Sequence, residues 1–137
     1  MKIHNVGMAT KNLNLAIDNY MKLGFVGIDH EPFIVKDKNI KSMRIKDSMR
    51  RIMEIITVLD NNKPSQISNF LEDTNVPVIA YYLAFETYDI KTKILDMKKR
   101  GYKILDDISI DPYEKIPCAY LFHDAIGLIK LVEIKTS

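Results

Sequence analysis

The chain repeats itself, and that limits what it can fold into more than any other feature. Laid over one another, NLNLAIDNYMKLGF and DIKTKILDMKKRGY match at their apolar starts, at apolar positions inside and at their Gly-aromatic ends. Leu13 precedes Gly24 by the interval that separates Ile90 from Gly101, and Phe25 or Tyr102 follows the glycine. An apolar run lies upstream of each segment, IHNVGMA and AYYLAFE, and downstream an extended region closes on RIMEIITV or GLIKLVEI. Internal similarity of this kind reads as two copies of one βαβββ unit.

Local signals agree with that reading. Leu13, Ala16, Ile17 and Tyr20 recur at helical spacing, with Thr10 or Asn12 available as N-cap and Gly24 as the stop. Ile90, Ile94 and Met97 form the second stripe, with Thr87 or Asp89 as cap and Gly101 as the stop. The predicted helices are Leu13 to Leu23 and Asp89 to Arg100. NNKPSQISNFLED reads as a short linker helix with Pro64 in its first turn. Strands are predicted for Gly27 to Phe33, Ile40 to Ile45 and Pro117 to Phe122, with Asp111, Pro112 and Pro117 marking a loop. One domain follows, with module one at 1–60, the linker helix at 61–76 and module two at 77–137.

Composition narrows the function classes. The 137 residues carry a formal net charge of +2 with acids and bases interspersed, which gives no electrostatic footprint for nucleic acid or an anionic membrane. Cys118 is the one cysteine, and no Cys/His spacing matches a zinc site. With no apolar stretch long enough to span a bilayer and no signal-peptide core, a cytoplasmic protein is expected. His4, His30 and His123 share no ligand spacing and read as structural or surface residues; Cys118 reads as a small core residue.

The chemically informative residues are charges inside apolar strands. Glu54 sits in Ile52-Met53-Glu54-Ile55-Ile56, where either face of the strand is apolar, and a buried carboxylate needs a cation. Lys130 falls at the equivalent point of Leu128-Ile129-Lys130-Leu131-Val132. Packing of the two units about an approximate twofold axis would let Glu54 and Lys130 face one another, and the same superposition pairs Asn5 with Tyr82. The alternatives are an edge strand open to water for Glu54 or Lys130, a backbone contact for Asn5, and plain packing for Tyr82 beside Tyr81 and Phe85.

The phrases VGMATKNLNLAIDNYMKLGF, MEII, PSQISNFLED, LAFETYDI and GLIKLVEI, in this order, resemble the vicinal oxygen chelate superfamily over nearly the whole chain. This superfamily includes glyoxalases, epimerases, extradiol dioxygenases and bleomycin resistance-type proteins; PSQISNFLED looks most like the methylmalonyl-CoA epimerase branch. The resemblance implies an α+β fold in which two βαβββ modules form a cupped mixed β-sheet with helices outside, and pairing as a homodimer. It also implies a divalent metal held by His, Glu, His and Glu. Carried over by position, these four fall on Asn5, Glu54, Tyr82 and Lys130, so only Glu54 is kept. His4 is one residue off and by strand alternation points to the opposite face.

A protonated lysine offers a metal no lone pair. The expectation is therefore no metal and no cofactor, with the Lys130 ammonium taking the ion's electrostatic place beside Glu54. Two functions remain open. One is a metal-independent binding protein that holds a small organic ligand in the cup through Asn5, Glu54, Tyr82 and Lys130. The other is a metal-independent lyase or isomerase acting on a carbonyl or thioester substrate, with Tyr82 and Glu54 as acid and base and Lys130 as the stabilising charge.

Overall fold

The computed structural model describes residues 1–72, 75 and 77–135. Element order repeats as the sequence does. The first set is β1 (Ile3–Thr10), α1 (Leu13–Lys22), β2 (Val26–Gly27), β3 (Phe33–Val35), β4 (Ile40–Lys46) and β5 (Ile52–Val58). After the short α2 (Ser68–Glu72) come β6 (Val78–Thr87), α3 (Ile90–Lys99), β7 (Lys103–Ile104), β8 (Ser109–Ile110), β9 (Pro117–His123) and β10 (Gly127–Glu133). The architecture is α+β with mixed strand pairing.

Both long helices begin and end by the same chemistry. Asn12 caps α1 through the Leu15 N–H, and Asp89 caps α3 through the Thr92 N–H, each at 3.1 Å. Thr10 supports the first cap by accepting from the Asn12 N–H at 3.2 Å. At the C-termini, Gly24 and Gly101 take φ of +99° and +94°, a region L side chains disfavour. The Gly24 and Phe25 N–H groups then reach back to Met21 and Tyr20, and those of Gly101 and Tyr102 to Lys98 and Met97. This is the Schellman arrangement with its apolar contact: the Phe25 and Tyr20 rings meet edge to face at 5.4 Å. The Gly-aromatic repeat is thus a pair of helix stops.

The chain forms two compact units, residues 6–81 and residues 1–5 with 82–137. The first residues go with the second half because the Glu86 N–H donates to the Lys2 carbonyl at 2.8 Å and His4 reaches Glu86. Within 6–81 the strand order is β2-β4-β5-β1, with β3 also on β4. Leu13, Ala16 and Ile17 of α1 pack on Met43, Ile45 and Ile55, so Arg44 and Glu54 point to the face away from the helix. Within the other unit β10 pairs parallel with β6 and antiparallel with β9, while β7 and β8 share the far side of β9. Ile90, Ile94 and Met97 of α3 cover Ala119, Leu121, Ile129 and Leu131, which leaves Tyr120 and Lys130 on the face away from α3.

Two local predictions need correction. Gly27 to Phe33 is not one strand: Asp29 interrupts it by accepting from the Arg44 N–H at 2.9 Å, so a side chain takes the place of a ladder carbonyl. The helix after Pro64 begins only at Ser68, because the Asn39 amide ties down the Asp60, Lys63 and Pro64 carbonyls and holds that stretch as a turn. Part of the expected linker, residues 73, 74 and 76, lies outside the described residues.

Candidate functional site

In β5 and β10 four consecutive side chains are buried, from Glu54 to Thr57 and from Ile129 to Val132, so each strand is covered on both faces. A charge in such a strand cannot reach water by rotation. Glu54 is 8% exposed and Lys130 3%. Each strand therefore places one ionisable group on the face its helix leaves bare, and each unit answers it differently.

In residues 6–81 the position directly across from Glu54 is Arg44 of β4. The Arg44 guanidinium is gripped by Asp29, with Nη2 to Oδ1 at 3.0 Å and Nε to Oδ2 at 3.2 Å. In the other unit the position across from Lys130 is Tyr120 of β9, which is the repeat equivalent of Arg44. The cation has moved from the fourth strand of one unit to the last strand of the other. In both, an aspartate from a preceding loop neutralises it.

For Lys130 that aspartate is Asp111. Lys130 Nζ donates to Asp111 Oδ2 at 2.6 Å, with the two side chains only 4% and 6% exposed. The other Asp111 oxygen accepts the Tyr113 and Glu114 N–H groups, both at 2.9 Å. Burial pushes the Asp111 carboxyl up; the Lys130 charge, its hydrogen bond and the two backbone donors together outweigh that and hold it below the usual carboxylate range. The ammonium also lies 5.6 Å from the Tyr82 ring centroid and 5.5 Å from that of Tyr120. These rings meet edge to face at 5.9 Å. Tyr82 is 3% exposed and presents its ring face to the ammonium.

The structure thus joins Tyr82 and Lys130, and adds Asp111 and Tyr120, which the sequence reading did not single out as site residues. Asp111 had only its place before Pro112 to mark it as a loop residue. A charge beside a proline, with a lysine stranded in the second apolar strand downstream, was the available signal. Tyr120 was identifiable through the repeat, as the residue aligned with Arg44. Asn5 is 8% exposed, with a buried Oδ1 that has no hydrogen-bond partner among the described residues. Its neighbour His4 turns to the opposite face, as alternation requires, and there bridges two carboxylates. Nδ1 stands 3.1 Å from Glu86 and Nε2 2.6 Å from Glu114. Of the remaining histidines and the cysteine, His123 accepts the Ala125 N–H at 3.0 Å, and Cys118 is buried with its sulfur 3.6 Å from Ser109.

A divalent ion does not fit at Lys130, whose ammonium has no lone pair and already has a carboxylate against it. Among the described residues no three His, Cys, Asp or Glu side chains converge so as to hold a metal. Nor is any described helix long and apolar enough to cross a membrane.

No family model matches the sequence, and none of the curated proteins does. Solved structures do match. The methylmalonyl-CoA epimerase of Mycobacterium tuberculosis superimposes with a TM-score of 0.80 at 20% identity, covering 98% of this chain and 88% of that one. A hypothetical protein from Bacillus halodurans C-125 gives 0.80 at 16% identity over 99% and 96%. A Streptomyces coelicolor methylmalonyl-CoA epimerase variant, solved in complex with 2-nitronate-propionyl-CoA, gives 0.75 at 16% over 100% and 99%. What these likenesses establish is the fold: this chain is built as the methylmalonyl-CoA epimerases are.

Proposed function

We propose that the protein is a metal-independent binder of a small organic ligand, held on the Lys130-bearing face of residues 82–137. One observation carries this reading: an ion pair, Lys130 with Asp111, is buried between two tyrosine rings in the middle of a sheet face. Burying such a pair is a poor route to stability, since well-packed apolar side chains of the same volume do as well or better. A fixed ammonium beside aromatic faces is, by contrast, a good partner for a carbonyl or carboxylate oxygen on an otherwise apolar molecule. The same charge does the work a metal does elsewhere in the superfamily, which is to attract an oxygen, without needing ligands that Asn5 and Tyr82 do not supply.

An acyl thioester is the first class to test. Epimerases of this fold have been solved with acyl-CoA ligands, one of them with methylmalonyl-CoA together with NH4+. Titration calorimetry of EDTA-treated protein with propionyl-CoA, methylmalonyl-CoA and malonate is expected to give saturable binding to at least one of them. Tyr82→Phe and Tyr120→Phe would each weaken it several-fold through lost hydroxyl contacts. Binding that appears only when a divalent metal is added refutes the proposal. Conversion of a bound thioester, abolished in Tyr82→Phe, would favour the lyase or isomerase reading over simple binding.

A further inference from the structure

The turn from Asp111 to Ile116 is tied down at two places that the ligand reading does not use together. Inside, Asp111 meets Lys130, and the turn closes on itself through the Asp111 N–H to the Ile116 carbonyl at 2.7 Å and the Lys115 N–H to the Asp111 carbonyl at 2.9 Å. Outside, Glu114 meets His4 Nε2 at 2.6 Å, and the other ring nitrogen is anchored on Glu86 of β6. Glu114 and Asp111 are also joined directly, since the Glu114 N–H donates to Asp111 Oδ1. Glu114 thus holds His4 by its side chain and Asp111 by its backbone N–H.

We propose that His4 is a proton-operated latch: with its ring charged it clasps the 111–116 turn against β6, and on losing its proton it lets the turn go. Only an imidazolium donates from both nitrogens. A neutral ring has one N–H, so one glutamate loses its bond and faces a bare nitrogen lone pair instead. The charged groups acting on the ring are Glu114 from the turn and Glu86 from β6. Of the others nearby in the fold, Asp111 and Lys130 neutralise each other, and Glu133 of β10 is engaged with the Ile90 N–H at the start of α3. The Glu114 bond raises the His4 pKa most; burial opposes it, and Glu86 adds to the rise. A raised folded-state pKa means that the latch holds fully below the ordinary histidine value of about 6.5 and is lost as pH climbs through the higher folded value.

The test needs no ligand. Amide hydrogen exchange of Glu114 and Lys115 in the full chain, corrected for the intrinsic rate, is followed by NMR across the pH range in which the His4 ring titrates. Protection at both amides should fall about tenfold or more over the His4 midpoint, as expected for loss of a charge-assisted hydrogen bond, while Leu131 in β10 stays unchanged. Glu114→Gln, which keeps an acceptor but removes the charge, should move the His4 midpoint and the loss of protection downward together. His4→Gln should leave protection low at every pH. Protection that ignores the His4 titration, or stays at its original pH in Glu114→Gln, overturns the latch. Control of access to Lys130 by this latch rests on the binding reading above. Because exchange is measured without ligand, the latch and the ligand site fail or survive separately.

Discussion

Replacing Lys130 by methionine separates a structural ion pair from a decorative one. The pair is 2.6 Å apart, with side chains 4% and 6% exposed. At an effective dielectric of about 20 its gross attraction is on the order of 6 kcal/mol, offset by a desolvation penalty of several kcal/mol for each ion. The net value of the pair is therefore small, but removing one partner leaves the other's penalty in place. Lys130→Met leaves the Asp111 carboxylate buried with two backbone donors, and a loss of about 3 kcal/mol is expected. Asp111→Asn leaves the ammonium with the Tyr82 and Tyr120 ring faces and should cost about the same or slightly more.

The double variant should cost well under the sum, with a coupling of about 2 to 3 kcal/mol in a cycle of four urea melts. Acid adds a second signature. The Asp111 pKa is lowered on folding, so its contribution is present above the ordinary carboxylate pKa of about 3.9 and disappears as pH falls through the folded value. Lys130→Met should remove most of that acid sensitivity. Additive single effects, or losses below about 1 kcal/mol as for exposed pairs, would refute the reasoning.

Other outcomes follow from the same geometry. Gly24→Ala and Gly101→Ala should each cost roughly 1 to 2 kcal/mol in thermal melts, and nearly equally, because both positions demand positive φ and neither has an atom crowding the new Cβ. Asn12→Ala should cost about 1 kcal/mol through the lost cap, and Asp89→Ala should likewise lower the melting temperature. Elemental analysis of protein purified without a histidine tag should find no stoichiometric divalent metal; one ion per chain, lost in Glu54→Gln, would contradict that. Sedimentation at micromolar concentration should show a dimer, and a strictly monomeric species would count against the expected pairing.

The helices were legible in the sequence because their signals are local. An Asn or Asp cap, an apolar stripe and a Gly-aromatic stop all lie within one segment, and the repeat shows each of them twice. The α+β architecture followed from that duplication. Lys130 and Tyr82 were legible as candidates because each breaks or enriches an apolar strand. Asp111 was not, since its partner is 19 residues away and only the three-dimensional path of the turn brings them together. His4 was passed over for a similar reason: its partners, Glu86 and Glu114, are separated from it by most of the chain. The break in the predicted strand at Asp29 was hidden because a carboxylate can imitate a backbone acceptor, an option that alternation patterns do not encode.

The contact between Lys130 and Asp111 also bears on how this sequence can change. A carboxylate at position 130 is the converse arrangement, with the charge of the last strand reversed. Lys130→Glu in one step would set two carboxylates against each other in a space that admits almost no water, a more hostile arrangement than either charge alone. The turn would have to give up Asp111 first, and that step strands the lysine. Each single substitution away from the present pair leaves a buried charge unanswered, so the two positions are coupled and tolerate change together better than one at a time.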